Sequence, residues 1–346
     1  MLATACRSVV ALVLVILPTV TVNADHPARD SSFTFEQFAG NRSHGLFRYG
    51  SAESVFLKFD PFGGDQPVAE QLLAGADTQT LLRADDANSN SVGPRITLGW
   101  IDLDNRGWEL SYLGVGGGRG SRSVDGDGNL AMVGTLALNS SDFFNSDRIA
   151  IDAETRLYSF EINRTWNDER WSLLAGFRYV RVEDSFRLLS FESDTGIGSD
   201  FTSFGDYSVE TDNDLFGLQS GIRHKRRSRL SERLFFGLGG KAGIYGNSAS
   251  QSQSIIDFGG TDQPFPLRPP FRDHRGQVAF VGETNLTADL ALTSNLELRV
   301  GYNLIWMDGL ALAPGQLELD DAPITATSTT GGGLFHGASV GFTFKW

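Results

Sequence analysis

The chain has 346 residues, with 42 acidic against 29 basic side chains and a formal net charge of −13, a balance that argues against nucleic acid as a partner. Its single cysteine, Cys6, stands near the N-terminus, so an exported chain that has lost this end would have no disulfide, thiol chemistry or cysteine-based zinc site. Glycine is abundant with 40 residues, aromatic residues make up 11%, and no amphipathic run of helical length stands out. This composition favours an all-β fold.

Residues 1–24 have the organisation of a secretory signal peptide. Arg7 precedes an apolar core over Val9–Leu17, and Val22-Asn23-Ala24 supplies a small-residue cleavage site. We expect cleavage after Ala24, which would bring the net charge from −13 to −14 because Arg7 is lost. A periplasmic segment is then expected over residues 25–52. The apolar core is much shorter than the roughly 20 residues that a membrane-spanning helix needs.

Alternation of apolar and polar residues with period two predicts an antiparallel transmembrane β-barrel of about ten strands over residues 53–346, with twelve strands as the alternative. In the clearest strand, Leu298 and Val300 share one face, and Glu297 and Arg299 share the other. A water-soluble β-sandwich would need an apolar inner face on every strand, so charged and apolar faces on the same strand favour the membrane barrel. The predicted strands are Ser54–Phe59, Arg95–Asp102, Trp108–Val115, Ala153–Trp166, Trp171–Tyr179, Leu215–His224, Arg233–Tyr245, Gln277–Leu290, Asn295–Met307 and Phe335–Trp346.

The connections between these strands alternate between short and long, as periplasmic turns and extracellular loops do. The short ones are 103–107, 167–170, 225–232 and 291–294, and the long ones are 61–93, 116–152, 184–214, 246–275 and 308–334. An apolar run over Leu130–Leu138 would break this parity if it crossed the membrane, so we interpret it as a hairpin that rises within the second loop. Tryptophan pairs beside two short turns, at Trp100 and Trp108 and at Trp166 and Trp171, indicate an aromatic girdle.

Several segments of the predicted barrel resemble one known family. They are GWELSYLGV from Gly107, RLYSFEIN from Arg156, RWSLLAGFRYVRVEDSFRL from Arg170, NDLFGLQSGIR from Asn213 and GGKAGIYGN from Gly239, with GASVGFTFKW closing the chain. These are similar to the beta barrel porin-7 family of planctomycete outer-membrane proteins, which is related to Legionella major outer-membrane proteins. The resemblance covers roughly residues 54–346. It implies an outer-membrane barrel and carries over no binding or catalytic residue.

Charged residues on the faces opposite the apolar ones are predicted to point into the barrel lumen. They are Lys58, Arg95, Glu109, Glu161, Arg178, Arg233, Lys241, Glu283, Asp289, Glu297, Arg299 and Lys345. The interior of an eight-stranded barrel is just filled by side chains, and this barrel is only somewhat wider. The charges therefore either pair into a plug or line a narrow aqueous path, and the sequence leaves both open.

No motif predicts catalysis, a cofactor or a metal site. The five histidines, His26, His44, His224, His274 and His336, show no metal-ligand or catalytic spacing. The run from Asp125 to Asn129 resembles the first half of a calcium loop, but Leu130 and Leu136 stand where a glycine and a bidentate acid belong. A flexible acidic turn and an irregular calcium site both remain open for this run.

The sequence therefore predicts a non-enzymatic outer-membrane protein that is porin-like, passing solutes or ions passively, or structural. The alternative is a surface adhesin that uses its long acidic loops above a plugged barrel. The expected partners are outer-membrane lipid, possible small solutes or ions, and the barrel-assembly machinery. The C-terminal row Phe342, Phe344 and Trp346 matches the aromatic signal that this machinery recognises, since a terminal strand can be bound by strand addition.

Overall fold

The structure is a computed structural model that describes residues 47–73, 77–87, 90–168, 170–192, 203–258 and 264–346. The expected signal peptide and residues 25–46 lie outside this part of the chain. The described strands are β1 Phe47–Phe62, β2 Pro67–Leu72, β3 Thr78–Arg83, β4 Asn90–Ile101, β5 Arg106–Val115, β6 Arg119–Met132, β7 Phe144–Asn167, β8 Trp171–Glu192, β9 Ser203–Arg227, β10 Leu234–Asp257, β11 Phe265–Ala291, β12 Leu296–Leu310 and β13 Gly331–Lys345. Short 3₁₀ helices lie at Ala84–Ala87, Thr135–Asn139, Ser141–Phe143 and Ala313–Gln316. Within the described ranges, no helix has the length and apolarity to cross a membrane.

Ten of these strands form a closed antiparallel barrel in the order β1-β4-β5-β7-β8-β9-β10-β11-β12-β13. The ring closes because β13 pairs with β1, from Tyr49 opposite Lys345 to Phe62 opposite Gly332. The predicted ten-stranded barrel is confirmed, and the twelve-stranded alternative is wrong. β1 begins at Phe47, six residues before the start of the barrel expected from the sequence.

The four short turns lie at the same end of the barrel as the start of β1 and the end of β13. The turn between β4 and β5 shows how such a turn is built. Asp102 accepts hydrogen bonds from the backbone N–H groups of Asp104 and Arg106 at 3.0 and 2.8 Å. Asn105 has φ of +59°, a left-handed conformation that asparagine tolerates better than most residues. Local hydrogen bonding of this kind is what a polar Asp-Leu-Asp-Asn turn predicts.

Most of the long connections are shorter than predicted, because the strands extend many residues beyond their predicted upper ends. Residues 184–192 belong to β8, residues 203–214 to β9, residues 246–257 to β10 and residues 265–275 to β11. Inward and outward side chains still alternate through these residues, but the outward ones become polar. A strand prediction that requires an apolar outer face therefore ends each strand too early.

β8 shows this change within one strand. Over its first nine residues, Leu173 and Phe177 face outward with half or nearly half of their surface exposed, and Arg178 faces inward and is buried. Further along, Val182 is buried inside the barrel, whereas Arg181 and Arg187 lie on the outer face. A bilayer requires an apolar outer surface and water requires a polar one. The reversal near residue 180 therefore marks the upper edge of a membrane-spanning belt of about nine residues per strand.

Above this belt, the upper parts of β7–β11 form an extracellular projection, with β6, β2 and β3 beside them. β5 pairs with the lower part of β7 and β6 with its upper part, so the sheet widens only above the membrane. The interior of the projection is an apolar core that includes Leu136, Ile151, Leu188 and Val209. The run Leu130–Leu138 ends β6 and continues into a 3₁₀ helix, so it does not cross the membrane. β6 forms a hairpin with β7, which agrees with the predicted hairpin within the second loop.

Candidate functional site in the barrel lumen

Ten of the twelve charged residues predicted to face the lumen have side chains inside the barrel, where they form ion pairs between both adjacent and non-adjacent strands. They are Arg95, Glu109, Glu161, Arg178, Lys241, Glu283, Asp289, Glu297, Arg299 and Lys345. The prediction was wrong for Lys58 and Arg233. Lys58 shares the outer face of β1 with Phe56 and pairs with Asp60 at 2.6 Å, because the even-numbered positions of this strand face outward. Arg233 is exposed in the turn that precedes β10.

A middle cluster at mid-height of the barrel consists of Arg95, Glu161, Arg178, Lys241 and Glu283. Arg178 lies 3.3 Å from Glu161 and 3.0 Å from Glu283, and Lys241 bridges the same two carboxylates at 2.6 and 3.2 Å. Arg95 approaches Glu283 to 3.6 Å from the opposite wall. Only 1% of the Arg178 side chain is exposed. These charges are desolvated, and the barrel accommodates them because each has partners of opposite sign.

A lower cluster lies nearer the periplasmic end. It comprises Glu53, Glu109, Arg223, Lys225, Asp289, Glu297, Arg299 and Lys345. Arg223 makes a bidentate contact with Glu109 at 2.5 and 2.7 Å, and the Tyr49 hydroxyl donates to the same carboxylate at 2.6 Å. A bidentate arginine–carboxylate pair makes two parallel N–H···O hydrogen bonds, so it fixes the relative geometry of the two groups better than a singly bonded ion pair does.

Sequence reasoning missed three members of this lower cluster, Glu53, Arg223 and Lys225. The run Lys225-Arg226-Arg227 was attributed to a periplasmic turn, whereas β9 continues through it. The inward positions of β9 are odd-numbered, from Leu215 through Gln219 to Arg223. Extending that alternation by two residues would have placed Lys225 in the lumen as well.

An apolar layer fills the lumen directly above the middle cluster. Its members are buried side chains from nine of the ten barrel strands, all except β4, and from the start of the β12–β13 connection, namely Val55, Leu57, Phe59, Leu113, Val115, Leu157, Val180, Val182, Leu215, Tyr245, Ala279, Val281, Ile305, Met307, Leu310, Leu312 and Phe335. Phe59 and Phe335 stack with ring centroids 4.3 Å apart. The interior at this height is packed like a protein core.

The connection between β12 and β13, residues 311–330, is here called the cap loop, and it covers the apolar layer from the extracellular side. Asn213 of β9 donates to the carbonyl of Ala311 and accepts from its N–H, at 2.7 and 2.8 Å. Gln253 of β10 donates to the carbonyl of Gln316 at 2.8 Å. Both side chains are buried, so these hydrogen bonds hold the loop backbone inside the projection.

Asp184 connects the cap loop to the wall above the membrane belt. It accepts hydrogen bonds from the Thr155 hydroxyl at 2.7 Å and from the backbone N–H of Ala313 at 2.8 Å. Burial without a cationic partner raises the pKa of this carboxyl from 3.8 to about 6.

Docking of the cap loop is therefore expected to depend on pH. An acid with a raised pKa stabilises the docked state most when it is protonated, so this contribution is complete below pH 3.8 and is lost as the pH rises through 6. The loss amounts to about 3 kcal/mol. Hydrogen exchange of the Ala313 amide should be slower near pH 4 than above pH 7 once intrinsic exchange rates are taken into account. Asp184→Asn should abolish this difference, and an unchanged pH dependence in that variant would contradict the assignment.

Another group of polar side chains lies on the outer face of the barrel, at the upper edge of the belt. His336 contacts Asp60 through Nε2 at 2.9 Å and the Tyr302 hydroxyl through Nδ1 at 2.8 Å. These side chains face away from the lumen. His224 lies at the periplasmic end, where its Nδ1 contacts the carbonyl of Arg170 at 2.9 Å.

The acidic run Asp125–Asn129 lies in β6, where the pairing with β7 shifts register between Asp125 and Leu130. The Asp125 side chain is 77% exposed and lies 3.5 Å from Arg148. The part of the chain that the structure describes contains no group of three or more histidine, cysteine or acidic residues placed to hold a metal ion.

A closed ten-stranded antiparallel barrel with an apolar outer belt and a charged interior defines an outer-membrane β-barrel protein. The sequence profile described as "Putative beta barrel porin-7" matches residues 64–250, more than half of the chain, and the chain belongs to this family. A comparison with curated protein sequences finds no match.

Several solved outer-membrane barrels match this chain at low sequence identity. The outer membrane protease OmpT from Escherichia coli shares 11% identity, with 88% of this chain and 99% of that chain covered and a TM-score of 0.40. The toluene transporter TodX from Pseudomonas putida shares 10%, with 88% and 91% covered and a TM-score of 0.33. Neisserial surface protein A shares 13%, with 88% and 100% covered and a TM-score of 0.28.

Proposed function

We propose that this protein is a closed outer-membrane barrel that passes no solutes in its resting state and that presents its extracellular projection as a structural or interaction surface. The observation that carries the proposal is the filling of the lumen by three stacked layers: the ion-pair clusters, the apolar layer and the cap loop. Passive passage, as in a porin, requires a continuous aqueous path. No catalytic step forms part of this function.

The apolar layer is the strongest barrier of the three. Leu57, Ile305, Met307 and Phe335 have at most 1% of their surface exposed. Moving an ion from water into such surroundings has an idealised cost on the order of 20 kcal/mol, and several kcal/mol remain after relaxation. The middle cluster below adds no path, because its charges pair with one another and at most 13% of any of these side chains is exposed.

The extracellular projection supplies the surface for the second half of the proposal. Its strands are polar on the outer face: β8 and β9 carry the pair Arg187 and Asp206, and Arg181 pairs with Asp212. β10 adds an outward row of serines at alternate positions from Ser248 to Ser254. A tall, rigid, hydrated surface is suited to contacts with other cell-surface components.

The test is electrical. The mature chain, refolded in detergent and shown to be folded by heat-modifiable migration on a gel, is inserted into a planar bilayer beside a general porin as positive control. We expect no discrete conductance steps from the wild-type barrel. A variant in which residues 314–328 are replaced by a short Gly-Ser linker should also be silent, because the apolar layer remains in place.

Two other outcomes would change the assignment. Steady conductance steps from the wild-type protein would contradict the closed barrel and restore passive passage. Conductance from the linker variant alone would show that the cap loop, rather than the apolar layer, closes the lumen.

A further inference from the structure

The middle cluster carries an excess of positive charge. It contains three cations, Arg95, Arg178 and Lys241, against two carboxylates, Glu161 and Glu283. The lower cluster does not offset this excess, because its four cations face four carboxylates of its own. Among the described residues that make up the two clusters, one positive charge therefore has no counterpart.

Hydrogen-bond donors without an acceptor lie in the same place. The Nη2 atom of Arg178 and the Nδ2 atom of Asn303 are buried and make no hydrogen bond, and each residue is only 1% exposed. The Nη2 atom of Arg95 also lacks a hydrogen bond and makes only the 3.6 Å contact with Glu283.

These donors belong to neighbouring side chains. Arg95 and Arg178 both contact the carboxylate of Glu283, and Arg95 donates to the Oδ1 atom of Asn303 at 2.6 Å, so both guanidinium groups and the amide are neighbours. The buried Tyr245 hydroxyl lies beside Arg178. A buried donor without an acceptor costs about 1–3 kcal/mol, and an uncompensated buried charge costs more.

We propose that the middle cluster binds one small monovalent inorganic anion, such as chloride, between Arg95, Arg178 and Asn303. A single negative charge balances the three cations against the two carboxylates, and an anion accepts from several donors at once. A water molecule would satisfy donors but would leave the charge excess in place. The anion site does not depend on whether the barrel conducts, because the same residues could hold an anion in a closed or in an open barrel.

The direct test is a crystal of the wild-type protein grown or soaked in bromide, with diffraction data collected at the bromine absorption edge. We expect one anomalous peak inside the barrel, within hydrogen-bond distance of the Arg178 and Asn303 nitrogens. A peak confined to the protein surface, or solvent density without anomalous signal at this position, would overturn the proposal.

Asn303→Asp tests the charge argument in solution. It replaces the free amide donor by a carboxylate of the same shape, which supplies the missing negative charge from the protein itself. The wild-type melting temperature should rise in chloride relative to gluconate at equal ionic strength, and this difference should disappear in Asn303→Asp. Asn105→Asp, an identical change in the turn between β4 and β5, is the control and should keep the wild-type chloride response.

The solution result has two informative failures. An equal chloride response in Asn303→Asp and Asn105→Asp, or no response in the wild-type barrel, would contradict the site. If Asn303→Asp fails to fold, Asn303→Leu offers a second variant, since it removes the amide donor without adding charge and should lose the bromide peak.

Discussion

Replacing Glu283 by glutamine is expected to lower the free energy of unfolding by about 3–5 kcal/mol, the usual effect of removing one partner from a buried charge network. Glu283 contacts Arg178, Lys241 and Arg95, and only 3% of its side chain is exposed. The substitution removes the carboxylate that these three cations share and leaves Glu161 as the only acid in the middle cluster. The barrel would then hold two excess positive charges, counted without any bound anion.

Urea titration of the barrel in lipid vesicles measures this change. Asp206→Asn is the matched control because it also removes a carboxylate from an arginine pair. The pair of Asp206 with Arg187 lies on the outer face of the projection, where the arginine side chain is 48% exposed. Water screens such a pair, so the control should cost less than about 1 kcal/mol. Similar losses in the two variants would mean that the lumen is hydrated and that the middle cluster is not desolvated.

The sequence was sufficient to predict the barrel because its clearest strands carry charges on one face and apolar residues on the other. Glu297 and Arg299 alternate with Leu298 and Val300, and this alternation alone indicates which side chains enter the lumen. Lys58 was misplaced because it stands among apolar neighbours at a strand end, where one position of shift reverses the face. Its partner Asp60 has the same parity, which would have indicated an outward ion pair.

The filling of the lumen could not be predicted in the same way. Asn213 and Gln253 were assigned to loops, and nothing in their local sequence shows that they bind the backbone of residues more than 60 positions away. The apolar layer combines one to three side chains from each of nine strands, so no single segment contains its pattern. Contacts of this kind arise from closure of the barrel, which brings positions together only after every register is set.

The outer face of β8 lies in lipid at one height and in water at another. The cost of placing an arginine on this face should therefore depend strongly on its height. Phe177→Arg places a charge on the outer face within the membrane belt, and it should cost about 2–4 kcal/mol in vesicles. Leu189→Arg, on the same face twelve residues further along, should change stability by less than about 0.5 kcal/mol. Leu188→Ala, on the opposite and buried face, should cost about 2–5 kcal/mol by leaving a cavity in the core of the projection.

Urea unfolding in vesicles separates these three variants, and the order of their effects locates the membrane. If Leu189→Arg were as costly as Phe177→Arg, the belt would extend at least twelve residues higher on β8. The core of the projection would then be surrounded by lipid, and Arg181 and Arg187 would be charged side chains facing hydrocarbon. Since water rather than lipid solvates such pairs at low cost, we expect the reversal near residue 180 to coincide with the membrane surface.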